Sequence, residues 1–492
     1  MSDPIDPAKT SFDLSFKHAS ASGPVDQDAP LRIAILGNFS GSGHAAASRP
    51  LLVDCDNFDS VCAQFAAALR LPSCVEEAAE IGIPIRRIDD FHPDELIKNV
   101  PALATLAELR TRLLDPGSAD AAAAELRGIL KFSPPATDSG TSGPSQPEST
   151  TDMVARLLGK PASGSLEPAA PKSIVDQLIK QAVSPSAVPA PNPEQPHLIA
   201  ALDAELSTRL RAILHHPGFQ ALESVWRGLD FLVREAGENV KLHAIDISRE
   251  DLDGQLASIG NPLATVIGRQ LEQLSPTVIL GTFSFGAKDT EPLLRIARLA
   301  AACNTAFIGG ASPDLLGCSS FASQPNPIDW EKSSRPELSA FAELRRAPES
   351  SRIGLALPRF VIRQPYGKES DPINTIPFEE LASGASHECY LWANPAFLCG
   401  HLLLNSFASD GWEMEFGGPG GEIGGLPVHS VRVAGEKQTT PCAEAWLSEK
   451  AADAILGCGL MPVLSIRGRD SVRLVSLQSI SDPARPLAFR VC

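Results

Sequence analysis

The chain has 492 residues, with 42 Lys and Arg against 59 Asp and Glu, and a formal net charge of −17. An acid excess of this size excludes a general nucleic-acid or anionic-membrane binder, because both depend on a cationic surface. The length implies roughly two to four domains, 43% hydrophobic residues can build real cores, and 42 prolines with 37 glycines predict linkers between them.

Residues 31–37, Leu-Arg-Ile-Ala-Ile-Leu-Gly, form a β-branched apolar run ended by glycine and a polar loop, which predicts a buried strand. A helix is expected from Asn57 to Arg70 and a short strand from Ile83 to Ile88. Asp90-Phe91-His92-Pro93 then opens a helix whose stripe is Leu96, Val100, Leu103, Ala107 and Leu114, with Asp94 and Glu95 suited to its positive end. Between Ser133 and Pro196 the composition shifts to Pro, Ser, Thr, Gly and Ala, which cannot offset the entropy of ordering and predicts a linker. Two apolar islands inside it, Met153 to Leu158 and Ile174 to Val183, read as docking helices.

Beyond the linker, Ile199, Leu202, Leu206, Leu210 and Ile213 make one helical stripe, and Phe219, Leu222, Trp226, Leu229 and Val233 a second. Strands at Thr277 to Phe283 and Thr305 to Gly309 flank a helix from Thr290 to Cys303, which predicts a βαβ crossover. Arg352 to Phe360 and Pro427 to Val433 are further strand candidates, and Met461 to Ile466 with Val472 to Leu477 reads as a hairpin. The uncharged run Tyr390 to Ser409 carries Asn394-Pro395, His401 and Asn405, so it predicts a buried helix and no membrane span.

Candidate chemistry is sparse. Gly37, Gly41 and Gly43 follow a strand, but the loop lacks the lysine a phosphate loop needs. The glycine-rich run 417–425 has no cation and predicts close backbone approach or a mobile loop. His387, Cys389, Cys399 and His401 place four possible metal ligands within a short stretch, and a helix starting at Pro395 would put the two pairs on different elements. No Gly-x-Ser-x-Gly elbow occurs. The expectation is a non-enzyme with no cofactor. The ten cysteines hold no Cys-x-x-Cys pair and read as reduced thiols, and residues 1–10 have no apolar run, so a cytoplasmic protein is expected.

The two extremities carry strand period. Phe12, Leu14 and Phe16 alternate with polar residues, as do Leu487, Phe489 and Val491 with Ala488, Arg490 and Cys492. Each is a candidate assembly arm that would add to the sheet edge of a neighbouring molecule, with packing inside the same chain as the alternative.

Several stretches resemble one family. Residues 31–41, the tetrad Asp56-Asn57-Phe58-Asp59 and Asp90 to Glu95 followed by Val100-Pro101 are similar to the small sheath subunit of the type VI secretion system (TssB-like). Residues 214–229, which hold Phe219, Leu222, Trp226 and Arg227, resemble the large subunit (TssC-like). So do Pro358-Arg359-Phe360, Pro365-Tyr366-Gly367, Trp392 within 390–394, and Gly425 to His429.

The resemblance implies an α/β fold of two sheath-type modules joined by the Pro/Ser-rich linker. Its divisions are an arm over 1–29, a small-subunit-like domain over 30–132, a linker over 133–195, a large-subunit-like domain over 196–480 and a tail over 481–492. It also implies a structural component that assembles with itself or other sheath subunits around an inner-tube protein and is recycled by an AAA+ ATPase. Fusion of the two subunits would fix their ratio. The family's large subunit continues past the hairpin, so a chain ending at Cys492 raises a second expectation, a cap or baseplate-side adaptor. A metal-dependent enzyme using His387, Cys389, Cys399 and His401 is the remaining alternative.

Overall fold

The computed structural model describes residues 27–41, 48–65, 67–72, 80–130, 194–258, 260–330, 336–382, 386–414, 421–433 and 436–489. Phe12, Leu14, Phe16 and Val491, almost all of the linker with its two apolar islands, and residues 417–420 of the glycine-rich run lie outside the described residues. The chain divides into two units: 1–104 with 205–492, and 105–204.

The first unit is built on a nine-stranded mixed sheet, which makes the fold α/β. Its strands are β1 (Leu31–Gly37), β2 (Leu51–Val53), β5 (Val240–Asp246), β6 (Val278–Phe285), β7 (Ala306–Ala311), β8 (Ile353–Leu357), β11 (Glu422–Ile423), β14 (Met461–Ser465) and β15 (Val472–Leu474). The spatial order is β11-β15-β14-β8-β7-β6-β1-β5-β2. β1 runs parallel to β5 on one side, with Leu31 opposite Val240, and to β6 on the other, with Ile33 opposite Val278. The strand from the small-subunit-like region thus sits between strands of the large-subunit-like region, so residues of the two expected modules share one sheet. Being covered on both faces, β1 reads as a continuous apolar run, and Leu31, Ile33, Ala34, Ile35 and Leu36 are at most 1% exposed.

The predicted crossover is present: α9 (Thr290–Ala302) joins β6 to its parallel neighbour β7. β14 and β15 form the predicted antiparallel hairpin. The candidate strand 352–360 is split into β8 and the short β9 (Phe360–Val361) by a cis Leu357-Pro358 bond, and β9 pairs with β10 (Trp392–Ala393). The helical stripes after the linker are α5 (Gln195–Leu214) and α6 (Pro217–Val233). The uncharged run forms α11 (Ala396–Asp410), whose Phe397, Cys399 and Leu403 are buried in the core. Among the described residues no helix is long and apolar enough to cross a membrane.

Three expectations near the start of the chain are corrected. The helix predicted over 57–70 ends at Phe65 as α1 (Phe58–Phe65), and β3 (Ala68–Pro72) pairs with β4 (Glu80–Pro84) in a small antiparallel ribbon. The strand predicted over 83–88 ends at Pro84, and Ile88 already belongs to a single 3-10 turn. The single long helix after Pro93 is two, α2 (Pro93–Asn99) and α3 (Pro101–Leu114). Val100 takes φ −92° and ψ 113°, the extended geometry preferred before proline.

The second unit is helical. It contains α4 (Ala119–Leu130) and the parts of α3 and α5 within 105–204, whose Leu106, Leu109, Leu113, Leu126, Leu198 and Leu202 are buried. Arg110 Nε donates to Asp203 Oδ1 at 2.6 Å and Arg112 to Glu125 at 2.8 Å, and Arg127 pairs with Glu194.

At the other extremity the tail, described through Phe489, lies against its own chain. Pro486 bridges to Gln478, the Ala488 N–H donates to Ser351 O, and Leu487 is 1% exposed. The reason is local. Gly354 on β8 has no side chain, and a Cβ there would stand 3.2 Å from Leu487 Cδ2, so leucine fills the space glycine leaves.

Candidate functional site

The signature residues of both regions meet on α6. Its N-cap is His216, whose Nδ1 accepts from the Gly218 N–H, and Pro217 at the first position is preorganised for the helix. The face bearing Phe219, Leu222 and Trp226 is directed at the small-subunit-like residues. Trp226 is fully buried, its Nε1 donates to Phe39 O at 3.0 Å, and its ring packs edge-on against Phe39 and Phe58, with Phe65 tilted beside them. Leu222 covers Gly41, where φ is +67° and a Cβ would come 3.2 Å from the leucine methyl. Phe219 meets Phe91 edge-on at 5.6 Å. Asp94 closes the same seam by accepting from the backbone N–H groups of Asn374 and Thr375, each at 3.0 Å, and from Thr375 Oγ1 at 2.6 Å. Burial opposes its charge, but these hydrogen bonds and His92 outweigh it and hold the carboxyl below the usual range.

A quarter-turn around the helix the chemistry changes. Glu223 is fully buried and accepts from Arg227 Nε at 2.7 Å and from Arg363 Nε at 2.8 Å. Arg363 reaches on to both oxygens of Glu380, at 2.7 and 3.0 Å, and its guanidinium lies 4.3 Å over the Tyr366 ring. Glu380 also accepts from the Tyr366 N–H at 2.8 Å, and Arg227 donates to the Tyr366 hydroxyl. Burial by itself would raise Glu223 and lower Arg363. The facing opposite charges reverse both, so the glutamate is held below and the arginine well above its usual range. Burial pushes the Tyr366 hydroxyl up to about 12. Two carboxylates and two guanidiniums balance within the fold, which suits a rigid joint.

The remaining signature residues form a third group. Pro358 occupies the cis bond, Phe360 meets Phe231 at 6.0 Å, and Trp392 stacks on His387 at 4.5 Å. Arg359 lies over Trp392, donates from Nε to Glu444 Oε1 at 2.8 Å and reaches Glu388 at 3.2 Å.

The four candidate metal ligands do not converge. Cys399 is fully buried, with its thiol pushed up to about 12 by burial. His401 stacks on Phe231 and meets Asn405 at 3.1 Å, while His387 lies on Trp392. Among the described residues, the possible ligand atoms lying within 4.8 Å of one another belong to His387, Glu388 and Glu444. The Arg359 guanidinium already stands where a cation would neutralise that group, so these residues do not fit a metal. Sequence reasoning missed Glu223, Arg363 and Glu380. The available signals were an acid beside an apolar helical stripe with arginine four residues on, and an arginine directly after the run Phe360-Val361-Ile362.

Both regions that meet at this seam match known families in sequence. Residues 196–481, more than half the chain, match the family described as EvpB/VC_A0108, tail sheath N-terminal domain (VipB), and the chain belongs to that family. Residues 10–131 match the family described as type VI secretion system, VipA, VC_A0107 or Hcp2. The chain is 32% identical over 316 residues to the type VI secretion system sheath protein TssC1 of Pseudomonas aeruginosa. The alignment takes in 58% of this chain and 61% of that relative, so the chain spans less than two thirds of the relative's length.

Proposed function

We propose that the protein is a structural, non-enzymatic, sheath-like component of a type VI secretion apparatus. The observation that carries this reading is β1 between β5 and β6. The VipA-like and VipB-like segments are joined by a shared sheet and by the Trp226 seam, as befits one building block. In this reading its partners are further copies or other sheath subunits, an inner-tube protein and a recycling AAA+ ATPase, and it works in the cytoplasm. The stretch bearing Phe12, Leu14 and Phe16 would serve as a strand that adds to a neighbour's sheet edge. Negative-stain microscopy of the full chain tests the assignment. Rings or filaments are expected, and discrete single-chain particles at every concentration would overturn it.

A further inference from the structure

At the N-terminal ends of the parallel strands the sheet carries a polar row. It lies on the face that holds Ala34, Leu36, Ile245 and Ile279 of the core. Arg32 on β1 stands directly opposite Lys241 on β5. Thr277 precedes β6, and its N–H donates to the Arg32 carbonyl at 2.8 Å, which continues the row by one strand. Because side chains alternate along a strand, Arg32 shares the face of Ala34, Lys241 that of Ile245 and Thr277 that of Ile279. One step further in, His243 stands opposite Ala34. Burial holds its imidazole below the usual range against the pull of the Lys241 backbone, and the charges of Arg32 and Lys241 add to the effect.

Like charges directly opposite each other weaken a ladder, and among the described residues neither Arg32 nor Lys241 has a carboxylate partner. Lys241 is exposed and Arg32 is half-buried, so both are within reach of a molecule outside the chain. Thr277 is 2% exposed, and its Oγ1 is a buried oxygen without a hydrogen-bond partner among the described residues, which leaves the row short of an acceptor. Two accessible cations side by side, with no carboxylate partner among the described residues, call for an anion.

We propose that this row is a carboxylate-accepting contact, and that its occupant is an acidic surface segment of a second copy of this chain. The charge balance argues for that occupant. With a net charge of −17, one copy presents mostly acid to another, and the opposed Arg32 and Lys241 are cations without a carboxylate partner among the described residues. The proposal rests on the assembly reading above and names one of its contacts.

Two measurements on the full chain separate the two ideas. Titration with a hexaglutamate peptide reads the site, and sedimentation velocity reads assembly. The wild type should bind the peptide, more weakly at high salt, and Lys241→Glu should weaken binding about tenfold or more. The same variant should raise the denaturation midpoint, because Arg32 then faces an acid across the ladder. A loss of binding caused by misfolding would move the midpoint the other way. Arg32→Glu with Lys241→Glu should abolish peptide binding and reduce assembly. Equal peptide binding by wild type and Lys241→Glu would overturn the site. Assembly that persists undiminished in the double variant would overturn the second-copy occupant while leaving the sheath-like reading standing. Displacement of the peptide by equimolar inorganic phosphate would point to a small oxyanion and overturn the acidic segment.

Discussion

One helix, α6, presents two buried surfaces that hold the molecule together by opposite means. On the side of Trp226 the contacts are aromatic, with a single indole hydrogen bond to Phe39. On the side of Glu223 they are ionic, with two carboxylates and two guanidiniums closing on each other around Tyr366. The apolar side stabilises by removing surface from water, whereas the ionic side gains little over a hydrophobic substitute and fixes geometry instead. The contrast is that the first tolerates partial loss, and the second is sensitive to losing any one partner.

The comparison can be broken from either side. Trp226→Ala should cost roughly 3–5 kcal/mol as a cavity in a filled core, read as a fall in the denaturation midpoint; a negligible shift would place the indole outside the stabilising seam. Glu223→Ala should cost a similar 3–5 kcal/mol or so, because it strands Arg363 and Arg227 in the interior. Here a double variant sharpens the contrast: adding Arg363→Met to Glu223→Ala should recover part of the loss, whereas no second truncation should rescue Trp226→Ala. Asp94→Asn should cost about 1–3 kcal/mol, since the amide cannot accept every N–H and hydroxyl that Asn374 and Thr375 donate.

Acid provides the mildest probe. Burial lowers the pKa of His215, His401 and His429, against the pull of nearby carboxylates in each case, and burial with its basic neighbours lowers that of His243. The unfolded chain therefore takes up these protons first as pH falls. The stability they contribute is complete above about pH 6.5 and is lost as pH drops through their lower folded values. Denaturation midpoints at about pH 7.5 and about pH 5.5 should differ, the acid one being lower. Replacing His215 with Gln should shrink that difference slightly.

How far this architecture was legible follows from the physics of each element. β1 was readable because a strand covered on both faces must be apolar throughout, and the α5 and α6 stripes because their periods are long. β5 was missed because Lys241 and His243 interrupt its apolar run, although Val240, Leu242 and Ala244 keep the period of two. β3 was absorbed into a helix since Ala68 and Leu69 suit either state, and only pairing with β4 decides between them. The Trp226 seam was legible as motif, with Phe39, Phe58 and Trp226 each lying in a recognisable stretch. The ionic cluster was not. Glu223, Arg363 and Glu380 look like solvated charges in the sequence, and nothing but three-dimensional closure removes them from water.

The central place of β1 has a consequence for how the protein is made. Leu31 is synthesised long before Val240 and Val278, the residues that begin its flanking strands. From the ribosome, a sticky apolar ribbon with two open edges therefore emerges early and waits for both of its neighbours. Sheet closure must follow translation of the far half, which makes folding slow and leaves the nascent chain in need of protection from premature pairing.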